Sequence, residues 1–177
     1  MRVIRLLAPP LLLLAACGPG RSPAVAPSAA ASLSVSSDAF AEGASIPTKY
    51  TCKGEGAAPT IRWSGDLRGA KAIAVVVDDP DAPRGTFVHR VVLDLPATAT
   101  SLGPDAPAGA HQAKNSSGRT GWTPPCPPSG THHYRFTVYG LSAVTGLPDG
   151  VDTDQALKAV NDHAVVQGRL TGTVSST

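Results

Sequence analysis

The chain has 177 residues, of which 42% are hydrophobic, 16% charged and 5% aromatic, a size and balance that suit one folded domain and exclude a disordered polymer. Its formal net charge is only +2, and two of the positive residues, Arg2 and Arg5, lie within the first five positions, so no basic surface for nucleic acid is predicted. Valine, leucine, isoleucine and alanine occur in short runs bounded by Gly, Pro, Asp and Ser, which favours many short strands over a helical bundle.

The first segment in chain order has the pattern of an export signal. A positively charged start is followed by an apolar run, residues 6–16, that is too short to span a membrane. The run ends in Leu14-Ala15-Ala16-Cys17, which resembles a bacterial lipobox. We therefore expect removal of residues 1–16, lipidation of Cys17 and anchoring to the extracytoplasmic face of a bacterial membrane, in the cell envelope. The alternative is an ordinary secretory signal followed by a chance cysteine.

Residues 17–31 are rich in Pro, Ala and Ser and have no apolar periodicity, which is typical of a flexible tether. The folded domain is expected over residues 32–177, where apolar alternation begins. Short apolar runs predict strands near residues 33–36, 60–63, 72–77, 88–95, 134–141 and 165–174. Gly168 and Gly172 are expected to mark bends in the last strand, and alternation over 134–141 predicts one polar face, formed by Arg135, Thr137 and Tyr139.

One helix is predicted, from Thr153 to about His163. Asp152 is positioned to cap it, Gln155 completes the spacing of a capping box, and Ala156, Leu157 and Val160 form an apolar stripe. Many strands, one late helix and Pro/Gly-rich connections together predict a mainly β protein, an antiparallel β-sandwich with a helical addition.

Two cysteines, Cys52 and Cys126, remain in the expected domain. In an exported protein disulfides form and persist, so the simplest expectation is one bridge between them. The alternative is a Cys126 nucleophile activated by His132, six positions later.

Polar chemistry is concentrated in the connections between strands. The strand ending at Val77 runs into Asp78-Asp79-Pro80-Asp81-Ala82-Pro83, a stiff turn that holds carboxylates at a strand end. His89 opens the next strand. A third cluster, Gly121-Trp122-Thr-Pro-Pro-Cys126-Pro-Pro-Ser-Gly130-Thr-His132-His133-Tyr134, contains four prolines around Cys126 that stiffen the loop.

These clusters, together with Tyr50-Thr-Cys52-Lys-Gly-Glu and Trp63, resemble the phosphatidylethanolamine-binding protein family, in particular its bacterial Raf-kinase-inhibitor-like branch. The resemblance covers the chain from about Ser32 onward. It implies a β-sandwich with a small surface cavity for anions such as phosphate, phosphorylated head groups or acetate. The chain departs from the family pattern at Trp122, Pro124 and His133.

The resemblance implies ligand-binding roles for a set of cavity residues: Asp79, Pro83, His89, His132 and Tyr134. It places Asp81, Gly121 and Trp122 at the pocket rim, where Asp81 is expected to be a buried or turn-stabilising partner and not a direct ligand. Imidazole and phenol groups can donate hydrogen bonds to an oxyanion, and Asp79 is expected to hold an imidazole in one tautomer and to favour its cationic form. A metal ion is the alternative ligand, held by Asp79, His89, His132 and His133, but no His-x-x-x-His or Cys-x-x-Cys spacing occurs.

The predicted function is therefore non-catalytic binding of small anions or phosphorylated head groups by a membrane-tethered protein without a cofactor. Inhibition of an extracytoplasmic protease, or another protein-binding role, is the alternative that the resemblance implies. A hydrolase is the third hypothesis, although no Gly-x-Ser-x-Gly motif occurs.

Overall fold

A computed structural model describes residues 33–176 of the chain. The predicted signal segment, Cys17 and the predicted tether lie outside the described residues.

The described residues form eight strands and one α-helix. The strands are β1 (Leu33–Ser36), β2 (Ile61–Gly65), β3 (Ala72–Asp79), β4 (Phe87–Pro96), β5 (Ser101–Leu102), β6 (His111–Gln112), β7 (Thr131–Leu141) and β8 (Ala164–Ser175), and the helix is α1 (Thr153–His163). They build a three-stranded sheet in the order β1-β2-β5 and a five-stranded sheet in the order β6-β4-β3-β7-β8. Neighbouring strands pair antiparallel in both sheets, which confirms the predicted mainly β, antiparallel fold.

Two apolar layers cover the larger sheet, one on each face. The smaller sheet contributes Ile61, Trp63 and Leu102 to the layer between the sheets, while Ala156 and Val160 of α1 pack on the other face. Every residue of β3 is buried as a result, which explains its continuous β-branched sequence.

The prediction of a polar face on β7 is wrong for two of its three residues, which are buried. Thr137 and Tyr139 are 2% and 0% exposed. Tyr139 packs in the helix layer, and Arg169 Nε donates a hydrogen bond to Thr137 Oγ1 at 2.9 Å. Only Arg135, near the start of the strand, keeps a partly exposed side chain there.

Helix α1 has the predicted limits and buried stripe, but its predicted capping box is absent. Asp152 occupies the cap position without a side-chain hydrogen bond to the helix. Its carboxylate instead pairs with Lys114 Nζ at 2.9 Å.

Gly168 and Gly172 serve close packing rather than the predicted bends, because β8 stays paired to β7 at both positions. A Cβ at Gly168 would collide with the Leu33 carbonyl, and one at Gly172 would lie 2.5 Å from Ile46 Cγ1. These glycines let β1 and the 40–46 segment approach β8. Among residues 33–176 there is no helix with the length and apolar character needed to cross a membrane.

Candidate functional site

The three polar clusters of the sequence converge at one end of the larger sheet. Because β3 runs antiparallel to both β4 and β7, the end of β3 lies beside the starts of its two neighbours. Asp79 is paired with Phe87 in β4, and Asp78 is paired with Arg135 in β7. The turn acids, His89 and the His132–Tyr134 segment are thereby brought together.

A surface cavity of about 300 Å³, here called the histidine cavity, opens at this end of the sheet. It is lined by Asp79, Ala82, Pro83, Arg84, Phe87, His89, Thr123, Pro124, Cys126, Pro128, His132 and Tyr134. All five residues that the family resemblance gives as ligand-binding are in this lining. Their binding role remains a prediction.

His132 and Asp79 form a buried pair at the back of the cavity. His132 Nδ1 lies 2.7 Å from Asp79 Oδ2, and both side chains are less than a tenth exposed. A carboxylate only accepts hydrogen bonds, so Nδ1 carries a proton and donates. The other ring nitrogen, Nε2, has no hydrogen-bond partner within the described part of the chain. Asp79 Oδ1 accepts the Asp81 backbone N–H at 2.8 Å, so one carboxylate orients both the ring and the turn.

His89 has its tautomer fixed by a backbone carbonyl. Its Nδ1 lies 2.7 Å from the Thr123 oxygen, which can only accept, so Nδ1–H donates. Burial lowers the pKa of His89 from its ordinary value of 6.5, against the smaller opposing effects of the Thr123 hydrogen bond and Asp79. With its proton on Nδ1, a neutral His89 ring leaves Nε2 able to accept a hydrogen bond from a ligand.

Aromatic rings enclose His89 on several sides. The ring centroids of Phe87, Tyr134 and Trp122 lie 4.8, 5.2 and 6.1 Å from that of His89. Burial, reinforced by the nearby charges of Asp79 and Asp81, raises the pKa of Tyr134, and a hydrogen bond with the Cys126 backbone opposes this only in part. Tyr134 thus keeps its O–H proton at all ordinary pH values.

The predicted rim residues lie outside the lining of the histidine cavity. Asp81 is partly exposed and accepts both the His133 backbone N–H, at 2.8 Å, and the His133 ring Nδ1, at 2.7 Å. These hydrogen bonds lower the pKa of Asp81 and fit the expected turn-stabilising role. Trp122 Nε1 donates to the Gly56 oxygen at 3.0 Å, and Gly121 accepts a hydrogen bond from Asn115. Both residues support the loop behind the cavity.

Cys52 and Cys126 form the expected disulfide, with their Cα atoms 5.4 Å apart. The Cys52 backbone N–H also donates to the Pro125 oxygen at 2.9 Å. The bridge ties the segment after Tyr50 to the proline-rich wall of the cavity, and a bridged sulfur is not the free thiolate that a Cys126 nucleophile requires.

Several lining residues were missed by sequence reasoning. Arg84 directly follows the recognised turn, and its charge was the one signal that could have drawn attention to it. Thr123 acts through its backbone carbonyl, which no residue type reveals. Phe87, Pro124 and Pro128 form an apolar wall whose position depends on the tertiary fold.

A second cavity of about 420 Å³, the helix cavity, lies on the other face of the same sheet beside the start of α1. Its lining includes Asp78, Lys114, Asn115 and Asp152. Although it is larger, its one cationic lining residue, Lys114, is paired with Asp152, and its buried acid, Asp78, is paired with Arg135. The histidine cavity, with two unpaired ring nitrogens, is the better ligand site. Within residues 33–176, no three His, Cys, Asp or Glu side chains are grouped as metal ligands would be.

Together, these features define an antiparallel β-sandwich with a histidine-lined cavity at one end of its larger sheet. The family model described as phosphatidylethanolamine-binding protein matches residues 36–175, so the chain belongs to that family.

Relatives in sequence and in structure agree with this assignment. The chain is 45% identical over 148 residues to "Putative lipoprotein LppC" of Mycobacterium tuberculosis, covering 82% of this chain and 73% of that protein. It is 38% identical over 146 residues to a UPF0098 protein of Methanothermobacter thermautotrophicus, covering 79% and 97% of the two chains.

Two solved structures share the fold. The phosphatidylethanolamine-binding protein homologue CT736 of Chlamydia trachomatis has a TM-score of 0.76 and 35% identity, with 82% of this chain and 99% of that chain covered. YbcL of E. coli, described as a member of the mammalian family, has a TM-score of 0.77 and 30% identity at the same coverage.

Proposed function

We propose that this chain is an exported, membrane-tethered and non-catalytic protein that binds small anionic or phosphorylated groups, including phospholipid head groups, in the histidine cavity. The observation that carries the proposal is the Asp79–His132 pair. It fixes the His132 ring so that Nε2, the nitrogen without a protein partner, is left for a ligand. The proposal also draws on membership of a family named for phosphatidylethanolamine binding.

Donors and acceptors in the cavity suit a partly protonated oxyanion. His132 in its imidazolium form presents Nε2–H, and Tyr134 retains a phenolic proton, so both can donate to ligand oxygens. His89 presents a neutral Nε2, which can accept from a protonated phosphate oxygen or from a head-group amine. The site therefore supports ligands that combine acceptor oxygens with at least one donor.

The lining offers little to a hydrolase. Cys126 is bridged to Cys52, and the Thr123 hydroxyl lies 3.0 Å from Asn115 Nδ2, which donates to it. Neither group is a nucleophile hydrogen-bonded to a base, as acyl or phosphoryl transfer through a covalent intermediate would require. This supports a binding role.

Membrane tethering rests on the lipobox-like end at Cys17 and on the relative named "Putative lipoprotein LppC". A single lipidated cysteine would hold the domain at a membrane without a spanning helix.

Titration calorimetry with inorganic phosphate and phosphoethanolamine tests the binding proposal. We expect His132→Ala and Tyr134→Phe each to weaken binding about 10- to 100-fold, the effect of losing one donor to a charged group. His111→Ala is the control, because His111 lies in β6 at the far edge of the sheet. Equal affinities in all variants would place any binding elsewhere, and no binding at all would favour the protein-binding alternative.

A further inference from the structure

Arg84 is the one lysine or arginine in the lining of the histidine cavity. It lies in the turn between β3 and β4, its side chain is exposed, and it has no hydrogen bond or ion pair within residues 33–176. It also lines an adjoining cavity formed with Gly85, Thr86 and Ser116. The guanidinium is thus a free cation at the mouth of the candidate site.

Three carboxylates precede Arg84 within six positions, and any of them could have formed an ion pair with it. Each of them instead binds a side chain of β7. Asp78 accepts two hydrogen bonds from Arg135, at 2.7 and 2.6 Å, while Asp79 and Asp81 each lie 2.7 Å from the ring of His132 or His133. Because the strand register pairs all three acids of the turn with side chains of β7, none of them balances the charge of Arg84.

The remainder of the cavity cannot supply a permanent positive charge. His89 is neutral because burial lowers its pKa. Any positive charge on the His132 ring is balanced by the Asp79 carboxylate, which lies 2.7 Å away. The wall that faces the cavity from the loop before β7 is apolar, with Pro124 and Pro128. This wall therefore adds no charge that could take the place of Arg84.

We propose that Arg84 contacts the bound oxyanion directly and supplies the permanent charge that recruits it, an inference that rests on the proposed function of this cavity. The guanidinium presents parallel N–H donors whose spacing matches two oxygens of one phosphate or carboxylate. Arg84 thereby selects planar or tetrahedral oxyanions over neutral ligands of the same size.

Calorimetry with inorganic phosphate at low and at high sodium chloride, on wild type, Arg84→Gln, Arg84→Lys and Arg68→Gln, tests this inference. Arg68 is the matched control, because it is also exposed but precedes the far end of β3. We expect Arg84→Gln to weaken phosphate binding about 10- to 100-fold, Arg84→Lys to weaken it less, and Arg68→Gln to leave it unchanged. Arg84→Gln should also reduce the loss of affinity that added salt causes in wild type.

The results distinguish failure of the role of Arg84 from failure of anion binding by the cavity. If Arg84→Gln binds phosphate as wild type does while His132→Ala does not, the cavity binds anions but the role of Arg84 is overturned. If Arg84→Gln and Arg68→Gln weaken binding equally, only overall charge matters and direct contact is overturned. If wild type binds no phosphate, both the proposed function and this inference fail. Thermal unfolding of each variant checks that the exposed substitutions leave the fold intact.

Discussion

Asp78 and Asp79 are neighbours in the chain whose carboxylates serve opposite faces of the same sheet. Asp78 binds Arg135 on the side of the helix cavity, whereas Asp79 binds His132 on the side of the histidine cavity. The alternation of side chains along a strand makes this division. One short acidic turn therefore neutralises a structural arginine on one face and orients a candidate ligand-binding histidine on the other.

Asp79→Asn should change the tautomer of His132 and destabilise the fold by about 1 to 3 kcal/mol. The two oxygens of Asp79 accept from Asp81 N–H and from His132 Nδ1–H, but an amide has only one oxygen. If that oxygen keeps the turn, the amide NH₂ faces Nδ1 and forces the ring proton onto Nε2.

Ring ¹⁵N chemical shifts measure this directly, together with a urea unfolding curve. We expect a protonated Nδ1 in wild type and an unprotonated Nδ1 in Asp79→Asn. A protonated Nδ1 with unchanged stability in the variant would contradict the double role of Asp79.

The pKa of His89 predicts how stability depends on pH. Burial lowers this pKa in the folded state below 6.5, so the unfolded chain binds the extra proton first as pH falls. The stabilisation that comes from a neutral His89 is therefore complete above about pH 6.5 and is lost as pH falls toward its folded pKa.

Urea midpoints of wild type and His89→Phe between about pH 7 and pH 5 test this expectation. Wild type should lose more stability over that range than the variant, in which phenylalanine keeps the aromatic packing but cannot titrate. Parallel pH profiles for the two proteins would show that His89 is not the group responsible.

The Cys52–Cys126 bridge should contribute about 4 kcal/mol to the free energy of unfolding, because it closes a long loop in the unfolded chain. We expect non-reducing mass spectrometry to find the two residues joined, and the double variant Cys52→Ser, Cys126→Ser to unfold at lower urea. Cys126 also lines the cavity, so this variant should bind phosphate more weakly. Alkylation of both thiols in native protein would contradict the bridge.

The fold was predictable from local patterns where burial matches them. The β-branched run of β3 and the apolar stripe of α1 gave the right elements, since both reflect which faces are buried. The pattern of β7 misled because Thr137 and Tyr139 are chemically polar yet buried, Tyr139 within the helix layer. Gly168 has no local signature of its role, since the carbonyl of Leu33 that it accommodates is 135 positions away in the chain.

The candidate site was predictable to the extent that side-chain chemistry carries it. Asp79, His89, His132 and Tyr134 could be chosen from the sequence because their side chains line the cavity. The protonation of His89 could not, because it depends on the Thr123 carbonyl and on the rings packed around it. The absence of an acidic partner for Arg84 within residues 33–176 could not be predicted either, because it depends on which acids pair with side chains of β7.

An ¹H–¹⁵N NMR titration with inorganic phosphate locates the anion site on the protein. We expect saturable shifts confined to amides of residues 79–89 and 123–134, which surround the histidine cavity, with loss of these shifts in His132→Ala. Shifts centred instead on residues 114–118 and 152–157, around the helix cavity, or no saturable shifts at all, would show that the histidine cavity is not the anion site.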